Sequence, residues 1–255
     1  MVISSMNALI EALRAGSPVQ KVWISRNQRD PRVQQIKQLC HRREVLYRFV
    51  PKEALDRRVG GANQGVCAEI AAVAPIPLGD ALTAAKGGLF LFLDGVTDTG
   101  NLGALLRSAA AAEVDGVILP RRRSAPLNEA TLHASAGAML NTPVVVSRKP
   151  VEDLRLLKEA GYWVFGAAAG ADSVYSQVDL TVPLVLMLGG EKGGISPALL
   201  RQVDQRIGVP ISSKVESLNV SVAAGILLFE ILRQRRVDGG RFPSTGSPGI
   251  RAIKP

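Results

Sequence analysis

Residues 91–119 read LFLDGVTDTGNLGALLRSAAAAEVDGVIL. The stretch is a strand, a loop, an alanine-rich helix and the start of a second strand. A plain connector needs only a turn signal, and Asp94-Gly95 supplies one. This crossover also carries Asp98, Asn101 and, two turns further on, Arg107. Polar residues beyond what a turn requires, placed at the carboxyl end of an apolar strand, mark the loop as a candidate binding edge of an open α/β sheet.

The pattern around it agrees. From Leu89 onward apolar strands alternate with helices: LFLFLD, GVILP, PVVVS, YWVFGAAA, PLVLMLGG and RIGVPI. Strands so uniformly apolar are buried on both faces, which predicts a parallel sheet covered by helices. A long apolar helix, NVSVAAGILLFEILRQRR, follows over 219–236. The remainder, 237–255, is rich in Gly, Pro and Ser and predicts a disordered tail.

Residues 1–75 form a different unit. MNALIEALRAG predicts a helix closed by Gly16 and KVWIS a strand. PRVQQIKQLCHRR predicts a helix with Pro31 in its first turn, EVLYRFV a strand, PKEALDRRV a helix, and GVCAEI a strand after a glycine turn. This small α/β module holds more basic than acidic residues, among them Arg26, Arg29, Arg48, Lys52 and Arg57. Residues 76–87 read as a linker, and 88–236 as the second domain.

The chain has 255 residues, 47% of them hydrophobic and 21% charged, with a formal net charge of +9. Such a charge excess favours a polyanionic partner. Aromatic residues, at 4%, are too few for a platform that stacks many single-stranded bases, so a structured nucleic acid fits better. Cys40 and Cys67 stand far apart, and the two histidines add no ligand spacing, so no metal site is expected. With no apolar run of membrane-spanning length and no signal peptide, the expectation is a cytoplasmic protein without a membrane partner.

Three loops follow strand ends. The first is the opening stretch, the second Gly189-Gly190-Glu191-Lys192-Gly193-Gly194, and the third runs from Val209 and Pro210 to Ser221. None is a dinucleotide GxGxxG, a P-loop or a nucleophile elbow. Singly, each has an ordinary explanation: glycines permit turns, and Asn219 can cap the last helix. Together they resemble the three motifs of the SpoU (TrmH-like) family of RNA ribose 2′-O-methyltransferases. Asn101, Gly103 and Arg107 match the first, Gly189, Glu191 and Gly194 the second, and Pro210 to Ser221, with Ser217-Leu218-Asn219-Val220-Ser221, the third. The amino-terminal module is similar to the one that precedes the catalytic domain in the large-subunit rRNA branch. Its closing turn, Gly61-Ala62-Asn63-Gln64-Gly65, has Asn where that branch often has His, and Thr99 replaces a frequent proline.

The resemblance implies a SPOUT-type fold with a deep trefoil knot, S-adenosylmethionine as cofactor, large-subunit rRNA as partner and a homodimer. It implies cofactor contacts from Gly189, Val209, Ile211 and Leu218, with glycine at 189 letting the ligand approach the backbone. Asn101, Arg107, Glu191, Ser217 and Asn219 are the implied catalytic residues, Arg107 gripping a phosphate and orienting the hydroxyl. Asp98 is expected to shape its loop by local hydrogen bonding. The alternatives are a tRNA ribose target and a non-catalytic RNA-binding protein on the ribosome.

Overall fold

In the computed structural model, which describes residues 1–59, 63–168, 170–191 and 193–239, the side chains of 237–239 apart, two sheets carry the chain. The first comprises β1 (Val2–Ile3), β2 (Val19–Ser25), β3 (Leu46–Val50) and β4 (Val66–Ile70), in the order β1-β4-β2-β3. Helices α1 (Met6–Arg14), α2 (Arg32–Arg42) and α3 (Lys52–Val59) connect them. β2 runs parallel to β3 and antiparallel to β4.

The second sheet has the order β7-β6-β5-β10-β8-β11-β9. Its strands are β5 (Leu89–Asp94), β6 (Gly116–Pro120), β7 (Val144–Ser147), β8 (Trp163–Ala167), β9 (Ser173–Val174), β10 (Leu184–Gly189) and β11 (Gln205–Gly208). Every pairing in it is parallel. The helices are α4 (Leu78–Ala84), α5 (Thr99–Ala111), α6 (Glu129–Ala134), α7 (Pro150–Glu159), α8 (Pro197–Leu200) and α9 (Val220–Gly239).

Alternation along the central strands explains their apolar run. Leu91, Leu93, Leu186 and Leu188 face one side and pack with Leu102, Leu105, Leu106, Leu227 and Leu228 of α5 and α9. Phe90, Phe92, Val185 and Met187 face the other and pack with Leu78, Leu154, Leu157 and Leu199 of α4, α7 and α8. Each fully buried side chain of this size stabilises the fold by about 1.5–3 kcal/mol through burial alone.

Two features depart from the expected organisation. The stretch assigned to a linker contains α4, whose Leu78 and Ala81 are buried against the sheet. The amino-terminal module is also fused to its neighbour: Ile3, Met6 and Leu9 belong to the same apolar cluster as Leu132 and Met139. The Val2 N–H donates to Glu129 Oε1 across that contact. The expected tail lies outside the described residues beyond 239, and no helix among those described is long and apolar enough to cross a membrane.

Candidate active site

The carboxyl edge of the large sheet gathers the three loops. α5 begins where Asp98 caps it, the carboxylate accepting the Asn101 N–H at 2.7 Å. That is the local role expected of Asp98, and it fixes Asn101 in the first turn. Asn101 Nδ2 donates to Glu191 Oε1 at 3.0 Å. Asn219 Nδ2 donates both to that oxygen and to Asn101 Oδ1, each at 3.0 Å. Asn219 Oδ1 meanwhile accepts from the Ser221 N–H at 2.9 Å, capping α9. One end of the Asn219 amide therefore caps α9 while the other joins Asn101 and Glu191.

Asp94 locks the loops from beneath. Its carbonyl accepts the Gly190 N–H at 2.7 Å, and its buried carboxylate accepts the Ser196 N–H at 2.7 Å. The glycine-rich loop is thus pinned at both ends to the strand that leads into Asn101.

Three cavities lie side by side along this edge. One, of about 510 Å³, is bounded by the ends of β8, β10 and β11 and by α9. It takes in Gly189, Val209, Ile211, Leu218, Ser217 and Glu191, so all four residues expected to contact the cofactor share one wall system. The next, of about 560 Å³, is lined by Gly95, Thr97, Asn101, Glu191 and Arg123. The third, of about 670 Å³, lies at the ends of β6 and β7. Glu191 borders the first two cavities and Arg123 the last two.

Sequence reasoning passed over several lining residues. Ala167 at the end of β8 and Ala168, Gly170 and Ala171 after it wall the first cavity, where their small size leaves space. The run GAAAGA at a strand's carboxyl end was the available signal. It also missed Arg121, Arg122, Arg123 and Arg148, which follow β6 and β7 at the same edge.

One expected reason is corrected. A Cβ at Gly189 would lie 1.9 Å from the Gly194 carbonyl carbon and 2.2 Å from the Ile195 nitrogen. Glycine is needed there so that the loop can fold back on its own strand, before any ligand is considered. Gly103 likewise serves packing, since a Cβ there would meet Ala134 of α6 at 2.4 Å.

Arg107 does not join the others. It is exposed on the second half of α5, forms no hydrogen bond or ion pair among the described residues, and lines none of the three cavities. Ser217 lies exposed on the rim of the first cavity. Among the described residues, no group of three or more His, Cys, Asp or Glu could hold a metal ion.

At the far module, Gly61 and Ala62 of the expected turn lie outside the described residues. Asn63 donates to Asp56 Oδ1 at 2.7 Å and accepts the Gly65 N–H at 3.0 Å, while Gln64 Oε1 accepts the Met6 N–H at the start of α1. The turn thereby fastens three elements of the module. Edge strand β3 leaves Tyr47 and Phe49 exposed, their rings edge to face at 6.0 Å.

Comparison with known proteins places the chain in a family. Residues 88–229 match the SpoU rRNA Methylase family, and residues 6–75 match the RNA 2′-O ribose methyltransferase substrate binding family. The chain is 41% identical over 223 residues to the 23S rRNA (guanosine-2′-O-)-methyltransferase RlmB of Xanthomonas axonopodis pv. citri, covering 85% of this chain and 89% of that one. The RlmB of Pseudomonas aeruginosa is 38% identical over 232 residues, covering 89% and 94%. Among solved structures, an AdoMet-bound rRNA methyltransferase from Sinorhizobium meliloti superposes with a TM-score of 0.75 at 26% identity, covering 91% of this chain and 86% of that one. The A. aeolicus TrmH/SpoU tRNA modifying enzyme covers only 64% of this chain, and 82% of its own, with a TM-score of 0.55 at 31% identity. With its loops joined through Asn101, Glu191 and Asn219 and more than half its length matched, the chain belongs to the SpoU rRNA methylase family.

Proposed function

We propose that this protein transfers a methyl group from S-adenosylmethionine to a ribose 2′-hydroxyl of large-subunit (23S) rRNA. The observation that carries the reading is the position of Glu191, held by Asn101 and Asn219, at the border of two cavities. One cavity suits the cofactor and the other the target nucleotide. Relatives at about 40% identity that carry the 23S rRNA name support the substrate.

The first cavity fits S-adenosylmethionine by chemistry. Its volume is that of a small-molecule site, its walls are mostly small or aliphatic, and Glu191 and Glu216 are its charged lining residues among those described. Two carboxylates with no cation beside them among the described lining residues favour a positively charged ligand. Backbone groups at Gly189, Val209, Ile211 and Leu218 would hold it. When bound, the cofactor supplies an electrophilic methyl group on a sulfonium.

The chain's own residues then position the nucleophile. Two amide donors fix Glu191 Oε1, so the carboxylate keeps one orientation at the border of both cavities. Such alignment can lower a barrier by up to roughly 7–11 kcal/mol in well-oriented systems. A ribose hydroxyl also needs help with its proton. Arg107 has the planar fork to grip the neighbouring phosphate and orient that hydroxyl, but it stands outside the cavities of its own chain.

That separation supports a homodimer in which Arg107 serves the partner's site. α9 presents an apolar face in which Val222 and Phe229, two turns apart, are each 50% exposed, and α9 packs directly on the helix that bears Arg107. In this reading the segments after β10 and β11 form a deep trefoil knot around the cofactor. The basic amino-terminal module contributes RNA capture, and the protein works in the cytoplasm.

The deciding experiment maps ribose methylation on 23S rRNA and on tRNA incubated with protein and S-adenosylmethionine. A single new 2′-O-methyl mark on 23S rRNA is expected. A mark on tRNA alone would replace the substrate assignment, and no mark on either RNA, with cofactor bound, would overturn the reading.

A further inference from the structure

The third cavity lies beyond the cofactor and target-nucleotide cavities, and nothing in the proposed reaction uses it. Four arginines line it, Arg121, Arg122 and Arg123 after β6 and Arg148 after β7, against one carboxylate, Asp94. That carboxylate already accepts the Ser196 N–H. None of the four guanidinium groups has a hydrogen bond or ion pair among the described residues, although Glu152 lies near enough to pair with the adjacent Lys149 at 2.8 Å. Unpaired arginines converging on a concavity repel one another, an arrangement that an anion relieves.

A second observation is independent of charge. Ser147 is 2% exposed and lines the same cavity, yet its hydroxyl has no hydrogen-bond partner among the described residues. A buried hydroxyl without a partner costs stability, so such a group needs an explanation. Arg123 adds a third sign. It adopts φ +67°, a left-handed backbone that arginine rarely takes, at the boundary with the cavity that holds Asn101 and Glu191. Strain of this kind persists where the surroundings demand one orientation.

We propose that this cavity receives the phosphodiester backbone of substrate RNA flanking the methylated nucleotide. The three cavities then form one path along the carboxyl edge: cofactor, target ribose, flanking phosphate. Each guanidinium can donate two parallel hydrogen bonds to phosphate oxygens, and the Ser147 hydroxyl, enclosed in the free protein, can add one once a rotamer change turns it to the cavity. Arg123 stands at the step from the ribose to its neighbour, so RNA threaded here is held in register with the cofactor. The opposite electrostatics of the two outer cavities, carboxylates in one and arginines in the other, keep the cationic cofactor and the anionic chain apart.

The inference rests on the rRNA reading, and its test is read from binding so that the two can fail separately. The full-length Arg121→Ala/Arg122→Ala/Arg148→Ala variant alters only exposed side chains. S-adenosylmethionine affinity measured by calorimetry serves as its folding control and should be unchanged. Affinity for a 23S rRNA fragment, followed by fluorescence anisotropy across a salt series, should fall by about tenfold or more. The slope of log K against log salt should become shallower by about one per arginine removed. In parallel methylation assays the loss should appear in KM for RNA, with kcat at saturating RNA kept within a few-fold. Arg148→Lys should restore the salt slope but only part of the affinity. RNA affinity and slope equal to wild type in the triple variant would overturn the proposal, even with methylation of rRNA intact. Wild-type protein that binds RNA without methylating it would sink the rRNA reading, while the arginine slopes would still decide this one.

Discussion

Asn101 and Asn219 are 118 residues apart in sequence and joined by a hydrogen bond of 3.0 Å, with Glu191 Oε1 accepting from both. One residue stands in the first turn of α5, the other caps α9, and the acceptor comes from the loop after β10. The contact therefore exists only when all three loops are in place, and it couples the site's geometry to the packing of two helices.

The two ends of the Asn219 amide can be tested apart. Asn219→Asp keeps the oxygen that caps α9 and removes the donor to Asn101 and Glu191. Thermal stability should fall modestly, because a second carboxylate then faces Glu191, while single-turnover methyl transfer falls at least about tenfold, a loss of roughly 1.4 kcal/mol in the transition state. Asn219→Ala should lose the same activity and a further ~1 kcal/mol of stability from the missing cap. Equal activities for wild type and Asn219→Asp would show that the amide cluster is structural only.

The cavity proposed for the cofactor needs a different probe from its glycines. Because a side chain at Gly189 would strike the Gly194 backbone, Gly189→Val is expected to misfold the loop and says nothing specific about the ligand. Ala223 lines the cavity from α9 and is only partly buried. Ala223→Phe should occupy the cavity and weaken S-adenosylmethionine binding by more than about tenfold in a cooperatively folding protein, as calorimetry would register. Wild-type affinity in that variant would move the cofactor elsewhere.

Arg107 separates an enzyme from an RNA binder. Its exposure means that Arg107→Ala should change stability by no more than about 0.5 kcal/mol. Cofactor affinity should hold while methyl transfer drops by orders of magnitude, and Arg107→Lys should rescue it poorly because a point charge cannot reproduce the planar fork. Mixing Arg107→Ala with Ala223→Phe subunits should restore part of the activity if Arg107 reaches the partner's site. Full activity of Arg107→Ala alone at saturating RNA would overturn its catalytic role.

A clasp at the opposite edge of the sheet should affect stability and leave the site alone. Asp115 accepts the Lys86, Gly87 and Leu89 N–H groups at 2.7, 3.0 and 2.8 Å, which fixes the entry to β5. From the other side the Arg235 guanidinium donates to the carbonyls of Gly87, Gly88, Leu180 and Val182. Burial lowers the pKa of Arg235, the Asp115 charge opposes that shift, and no carboxylate among the described residues forms an ion pair with it. Asp115→Ala strands three backbone donors and should cost about 1–3 kcal/mol by denaturant unfolding. Cofactor affinity at a temperature where the protein remains folded should be unchanged, and a loss there would mean that the clasp communicates with the site.

The sequence by itself determined the main strands, the parallel sheet and the family, because these depend on local chemistry, but it read the stretch that holds α4 as a linker. Apolar runs such as Leu89–Leu93 must be buried on both faces wherever they occur, and Asp98 can cap only the helix that follows it. Motif spacing also singled out Asn101, Glu191 and Asn219 without showing that they touch. What only the tertiary structure decided comes from segments that meet across the fold. That α1 shares its core with Leu132 and Met139, so that cutting the chain at the expected linker would bare an apolar surface, depends on packing between helices far apart in sequence. That Arg121, Arg122 and Arg123 join Arg148 around the buried Ser147 hydroxyl follows from the order of strands, which sets β6 beside β7, while the need for glycine at 189 arises where its loop folds back within five residues. Strand order is set by long-range pairing between β5, β6, β7 and β10, and no local pattern encodes which apolar strand lies beside which.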